Sequence, residues 1–286
     1  MSKVTVGFFD GIHIGHQKLI QNIYPGILVT FDTSPKVFLK KINNCLLTTN
    51  QEKKEILSSL FPQLKVDFLI FKNIHHMSPE QFIKYLKQLY DFETICVGYD
   101  FRFGYKALGN IKTLQKLSKK FKYELIVQKP VYFEKRIVHS SLIRDIIANH
   151  PQKLSEVEHM LGRPYFITGI VIEGQKIGRQ IGFPTANILL PPNKVIPFFG
   201  IYKSQVEILN NQFHNKTFEG LLYVGPRPVI NNFQISIEVW IKDFNENIYY
   251  QPIRVKLLRF IRKIKNFKTL KAMVKQIEKD IELAFP

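Results

Sequence analysis

Two imidazoles three residues apart, His13 and His16, follow a glycine-rich turn in the stretch VGFFDGIHIGH at 6–16. If 3–9 is a strand and Gly15-His16 open a helix, both rings face one point near the helix N-terminus, because residues three apart are neighbours there. Backbone N–H groups and the helix dipole favour an anion at that point. Imidazoles can donate hydrogen bonds to phosphate oxygens, and the glycines (Gly7, Gly11, Gly15) let the backbone approach them closely. By residue type alone, a metal site and a plain helix start remain open beside the phosphate reading, although nothing adjacent supplies further ligands at a familiar metal spacing.

Three other groups could do chemistry. Ser140-Ser141 followed by Arg144 combines helix-capping hydroxyls with a planar donor fork that suits phosphate. Thr185 and Asn187, two apart in an extended segment, point the same way and offer hard oxygen ligands of the kind Mg²⁺ takes. Gly174, Gly178 and Gly182 around them permit a loop to cover phosphates. In QISIEVWIKDF (234–244) the alternation sets Ile235, Ile237, Val239 and Ile241 on one face and Ser236, Glu238 and Trp240 on the other. By pattern alone Glu238 is a solvent-facing strand residue.

The elements that must position these groups change rhythm midway. Short apolar runs at 3–9, 27–31, 66–71, 94–98 and 124–128 alternate with helical patterns, which predicts a parallel sheet in an α/β domain. Ile56, Leu57 and Leu60 mark one helix within 51–60. Ser78-Pro79-Glu80-Gln81 gives another an N-cap, a proline at its first position and a capping-box glutamine, with Phe82, Ile83, Leu86, Leu89 and Tyr90 as its apolar stripe. Open parallel sheets take ligands at the carboxyl ends of their strands, where the histidine turn falls. From about 164 the segments become short and extended (165–173, 200–209, 219–224, 234–243, 248–258), predicting a small antiparallel barrel or sandwich. A closing helix carries Leu270, Val274, Ile277, Ile281 and Ala284. The boundary is expected near 150–163, dividing the chain into 1–155 and 156–286.

The chain has 286 residues, with 41 Lys+Arg against 23 Asp+Glu, for a net charge of +18. That excess favours anionic partners. The basic residues are dispersed, however, without a compact block, so charge alone does not mark a nucleic-acid or membrane binder. Cys45 and Cys96, far apart, suit a reducing compartment. No apolar run approaches the roughly 20 residues that span a bilayer, and no signal peptide is evident. A cytoplasmic location is expected.

The motifs together resemble bacterial bifunctional riboflavin kinase/FMN adenylyltransferases over nearly the entire chain. GFFDGIHIGH resembles the HxGH nucleotidyltransferase signature. VGYDFRFG (97–104) resembles the flavin-side motif, SSLIR (140–144) a Ser-Ser-x-x-Ile-Arg-type helix start, LGRPY (161–165) the entry to the kinase domain, and GRQIGFPTANI (178–188) the flavokinase signature. The resemblance implies a Rossmann-like HxGH domain and a flavokinase-like barrel that convert riboflavin to FMN and FMN to FAD, with ATP as co-substrate and Mg²⁺. It implies catalytic roles for His13, His16, Arg144 and, as general base, Glu238. Nucleotide or phosphate contacts fall to Gly7, Phe9, Asp10, Gly11, Gly15, Ser140, Ser141, Gly174, Gly178 and Gly182. Flavin contacts fall to Asp100, Phe101, Arg102, Gly104 and Arg227, and metal ligation to Thr185 and Asn187. The implied partners are riboflavin, FMN, FAD and ATP, with neither nucleic acid nor membrane; monomer and weak homo-oligomer are both open. TFDTSP (30–35) lacks the His of the family's Pro-His-Pro, Val229 replaces a usual Thr, Trp240 stands where a His is common, and an acidic residue usual near Ile264 is missing. Retention of only one activity is the alternative within the enzyme class, and a basic RNA-binding protein the alternative outside it.

Overall fold

The apolar runs of the first half form five parallel strands, β1 (Lys3–Val6), β2 (Ile27–Phe31), β3 (Lys65–Leu69), β4 (Thr94–Gly98) and β5 (Glu124–Gln128), in the order β3-β2-β1-β4-β5. The structure is a computed structural model that describes residues 2–40, 42–43, 45–229 and 232–286, and not the side chains of 177, 227–229 and 232–234. It divides into two units, Met1–Ser140 and Ser141–Pro286.

In the first unit the strands alternate with helices α1 (Ile14–Gln21), α2 (Pro35–Lys40), α3 (Asn50–Leu60), α4 (Phe71–Ile74), α5 (Pro79–Tyr90) and α6 (Ile111–Phe121), and a small hairpin, β6 (Tyr132–Phe133) and β7 (Arg136–Ile137), follows. Val4 and Val6 on β1, Val29 on β2 and Ile95 and Val97 on β4 join Phe82, Ile83 and Leu86 of α5 in one core cluster. Leu28 and Cys96, which point to the other face, are also fully buried. Central strands covered on both faces read as continuous apolar runs. β1 ends at Val6, three residues earlier than its apolar run, because the chain turns left-handed at Phe9. β3 ends at Leu69 because Phe71 starts α4, its N–H bonded to Asp32 Oδ1 at 2.8 Å. The capping box at Ser78 and Gln81 forms as read, while Leu89, 48% exposed, falls off the stripe.

The second unit starts at the second residue of α7 (Ser140–Asn149) and includes α8 (Leu154–Leu161). It continues with β8 (Phe166–Ile172), the short α9 (Ile177–Gln180), β9 (Thr185–Leu189), β10 (Gly200–Ile208), β11 (Thr217–Val229), β12 (Asn232–Ile241), β13 (Pro252–Lys263) and α10 (Leu270–Ala284). Six strands close into a barrel in the order β10-β11-β12-β9-β8-β13, which decides between barrel and sandwich. β9, read from sequence only as an extended segment, pairs with both β12 and β8 and so completes the closure. Ile237, Val239 and Ile241 are buried as the alternation requires; Ile235 is 41% exposed. α10 is tied to β13 by a buried ion pair. Arg262 Nε and Nη2 donate to Asp280 at 2.8 and 2.7 Å, and Asp280 is 1% exposed. Leu270, 57% exposed, lies outside the helix's packed stripe.

Removing one partner of a buried ion pair strands the other. Asp280→Ala is therefore expected to cost about 3 kcal/mol, measured by urea denaturation.

Candidate functional sites

In a sheet ordered 3-2-1-4-5 the direction of winding reverses between β1 and β4, so the carboxyl ends of these neighbours flank a crevice. The loop after β1 enters this crevice in a costly conformation: Phe9, Gly11 and Ile12 have φ of 53°, 83° and 44°. Its hydrogen bonds hold it there. Asp10 Oδ1 accepts from the N–H groups of Leu47 and Thr48 at 2.9 and 3.1 Å, and Gly11 N–H donates to Thr48 Oγ1 at 3.0 Å. Ser140 Oγ donates to the Asp10 carbonyl at 2.9 Å.

The loop delivers His13 as the N-cap of α1, where its Nδ1 accepts the N–H of His16 at 3.3 Å. The two rings stack with centroids 3.6 Å apart, and the Phe9 ring meets His16 edge-on at 5.2 Å. Gly15 allows this, since a Cβ there would lie 3.1 Å from the His13 ring; a Cβ on Gly7 would lie 3.2 Å from the Phe9 ring. His16 Nδ1 is enclosed with no hydrogen-bond partner among the described residues. Burial lowers the His16 pKa well below 6.5, helped by the nearby charges of His13, Lys53 and His139. A stacked pair of rings with an unsatisfied buried nitrogen at a helix N-terminus suits an anion that can accept a proton-bearing ring edge.

The sequence patterns leave Lys53 unmarked. It is fully buried beneath the loop, with Nζ 2.6 Å from the Phe8 carbonyl, 3.2 Å from Thr30 Oγ1 and 4.0 Å from the Phe8 ring centroid. Its signal was present: 53, 56 and 57 follow the i, i+3, i+4 spacing, which puts a lysine in the buried stripe of α3, whereas Leu60 is 45% exposed.

At the end of β4, Asp100 and Arg102 are exposed, whereas Phe101 stacks on the buried Phe103 at 5.4 Å and packs partly on the core. Gly104 has φ 71°, and a Cβ there would lie 2.8 Å from Pro79 N, so its structural reason is plain. Tyr99 OH lies 3.1 Å from His139 Nε2. Ser141, exposed, and Arg144 lie on α7 in the second unit.

In the barrel, cross-strand register builds the second site. Glu238 on β12 is paired with Asn187 on β9 and with Tyr223 on β11, placing the three in one row. Thr185 Oγ1 donates to Glu238 Oε2 at 2.9 Å and Ser236 Oγ to Oε1 at 2.7 Å. Tyr223, also unforeseen, has its hydroxyl pKa pushed up by burial and by the charge of Glu238, against a smaller opposing effect of Arg262. Gly174 is a cradle: a Cβ there would lie 2.2 Å from Asn187 Nδ2. Gly178 packs on the Phe183 carbonyl, while Gly182 takes φ 84° in open space. Beside Thr185 opens a cavity of about 420 Å³, lined by Arg179, Val239, Phe244, Asn247 and Tyr249 among others. Arg227 lies on β11, and its side chain is outside the described residues.

The donor set suits a magnesium ion held partly by substrate. Thr185 gives its proton to Glu238, which leaves oxygen lone pairs for a cation, and Asn187 adds an amide oxygen. Among the described residues no group of three or more His, Cys, Asp or Glu could hold a metal, the histidine pair included.

Two such centres, an anion cradle at a switch point and an oxygen-lined barrel site, define a transferase of phosphorus-containing groups. Residues 1–142 match the family model described as FAD synthetase and residues 161–285 the one described as riboflavin kinase. The bifunctional riboflavin kinase/FMN adenylyltransferase of Buchnera aphidicola subsp. Schizaphis graminum is 34% identical, covering 99% of this chain and 92% of its own. Its counterpart in Haemophilus influenzae is 33% identical, covering 98% and 92%. A crystal structure described as a macrolide-efflux protein from Streptococcus pneumoniae has a TM-score of 0.83 at 28% identity, covering 99% of this chain and 93% of that one. The chain belongs to the bifunctional riboflavin kinase/FMN adenylyltransferase family. Among the described residues no helix is long and apolar enough to cross a membrane.

The two glycine cradles give separable expectations. Gly15→Ala displaces the His13 ring and is expected to slow FAD formation from FMN about tenfold or more, with FMN formation intact. Gly174→Ala displaces the Asn187 amide and is expected to do the reverse. Rates measured on each substrate separately check both.

Proposed function

We propose that the chain makes FAD from riboflavin in two ATP-dependent steps, residues 156–286 forming FMN and residues 1–155 adenylylating it. The observation that carries this reading is the pairing of two distinct phosphate-directed constellations, His13–His16 and Thr185–Glu238–Asn187, in one chain.

In the kinase step the 5′-hydroxyl of riboflavin attacks the γ-phosphorus of ATP and ADP leaves. Glu238, oriented by the Thr185 and Ser236 hydroxyls, takes the hydroxyl proton as general base. Thr185 and Asn187 would hold Mg²⁺, which would neutralise phosphate charge as it is transferred. The neighbouring cavity would take the nucleoside, with Phe244 and Tyr249 as aromatic walls and Arg179, hydrogen-bonded to Tyr249 at 3.3 Å, at its mouth. The loop carrying Gly174, Gly178 and Gly182 would cover the phosphates.

In the second step a phosphate oxygen of FMN attacks the α-phosphorus of ATP, and pyrophosphate leaves. The nucleophile is already an anion, so no base is needed. His13 and His16 stabilise the charge that gathers on the departing phosphates, and α1 adds the positive end of its dipole. Gly7, Phe9, Asp10, Gly11 and Gly15 shape the cradle. Ser140, Ser141 and Arg144 are assigned to this step by their motif alone, and Asp100, Phe101, Arg102 and Gly104 to FMN, with Arg227 assigned to riboflavin. These substrates favour a cytoplasmic enzyme without nucleic-acid partners.

Riboflavin, ATP and Mg²⁺ are expected to give FMN first and FAD afterwards, resolved by chromatography. His16→Ala is expected to stop at FMN. Asn187→Ala is expected to make no FMN yet convert supplied FMN to FAD. FMN accumulation by the unaltered protein, without FAD, would contradict the two-step reading.

A further inference from the structure

An enclosed lysine needs an anion nearby or a function that requires its charge, because burying an uncompensated cation is costly. Lys53 has neither exposure nor an ion pair among the described residues: its Nζ bonds only neutral oxygens, the Phe8 carbonyl and the Thr30 hydroxyl. The Phe8 and Phe68 rings lie 4.0 and 5.7 Å from the ammonium. Asp10 is near enough to act on it electrostatically, but its Oδ1 is engaged by Leu47 and Thr48. On its own helix, Glu52 caps Thr49 N–H, and Lys54 lies over Phe68. His16 on α1, near enough to interact with it electrostatically, is another group that can carry only positive charge. Among the described residues no carboxylate bonds the Lys53 ammonium, and Asp10 offsets its burial only in part; an ATP triphosphate in the cradle would add the missing negative charge.

We propose that Lys53 is a positioning residue of the adenylyl-transfer site: an enclosed ammonium that fixes the 7–13 loop through the Phe8 carbonyl and supplies, from beneath, positive charge that the triphosphate of ATP neutralises. The inference rests on the placement of adenylyl transfer at His13 and His16. Burial lowers the Lys53 pKa from 10.5 to about 8, against a smaller opposing effect of Asp10. The charge is thus present at neutral pH and lost as pH rises through about 8. Bound triphosphate stabilises the charged form, so the loss belongs to the free enzyme and is read in kcat/KM.

The test is kcat/KM for ATP in FAD formation from supplied FMN, from pH 7 to 9.5, for the unaltered protein, Lys53→Met, Lys53→Arg and His16→Ala, with FMN formation by the same preparations as the folding control. The unaltered protein is expected to lose kcat/KM above about pH 8. Lys53→Met is expected to raise KM for ATP about tenfold with kcat within about threefold, and to show no alkaline fall. Lys53→Arg is expected to retain most of the affinity and to stay charged throughout the range. An unchanged KM in Lys53→Met overturns the proposal. So does a flat profile for the unaltered protein, which is decisive even if the variants fail to fold. Undiminished FAD formation by His16→Ala would instead overturn the placement of the site itself.

Discussion

The first unit depends on a loop that is unfavourable by itself. Holding Phe9 and Ile12 at positive φ costs about 1–3 kcal/mol each, and Ile12, β-branched, has no local reason to be there. The cost is offset by a closed circuit of interactions. Asp10 binds the backbone that leads into α3, Thr49 and Glu52 cap that helix reciprocally, and Lys53, one turn on, returns to the Phe8 carbonyl and to Thr30. Thr30 in turn donates to the same carbonyl at 3.1 Å. Strain kept at one point by surrounding structure is how a rigid site is made in advance of its ligand. Here it fixes two imidazoles face to face at a helix N-terminus.

The barrel solves its problem by register instead of strain. Glu238, Asn187 and Tyr223 share one row because β12 lies between β9 and β11 in one particular alignment. A slip of one residue would send Glu238 to the opposite face. Closure protects that alignment, since β9 is held on both edges, by β12 and by β8. Glycine at 174 then leaves room for the Asn187 amide, just as glycine at 15 leaves room for the His13 ring. The two centres therefore share a device: a polar group of the site lies against backbone that can carry no side chain.

Much of this was legible in the sequence because local rules and tertiary structure agree. Period-two and period-3.6 patterns gave the strands and helices, and the capping box of α5 formed as read. The misses have physical causes. β1 and β3 end early because a backbone reversal and a side-chain bond from Asp32 interrupt apolar runs that periodicity alone extends. β9 is short and carries Thr and Asn, so only its pairing partners make it a strand. Ile235 and Leu270 stand at the ends of their stripes and stay exposed, while Leu89 falls beside a stripe whose next residue, Tyr90, packs on the core. Lys53 is ambiguous in the sequence because a lysine in EKKEIL fits a solvated helix face as well as the buried stripe of α3. Tyr223 could not be seen at all, since its link to Glu238 exists only across the β11–β12 ladder.

The central claim is that the histidine cradle is preformed, largely desolvated and completed by an anion. Its most direct test is an NMR pH titration of the His16 ring in histidine-labelled protein, without and with ATP. A histidine held in a buried, electropositive cluster must titrate well below 6.5 in the free protein, and its pKa must rise when triphosphate binds. A His16 that titrates near 6.5 and does not move with ATP would contradict the account.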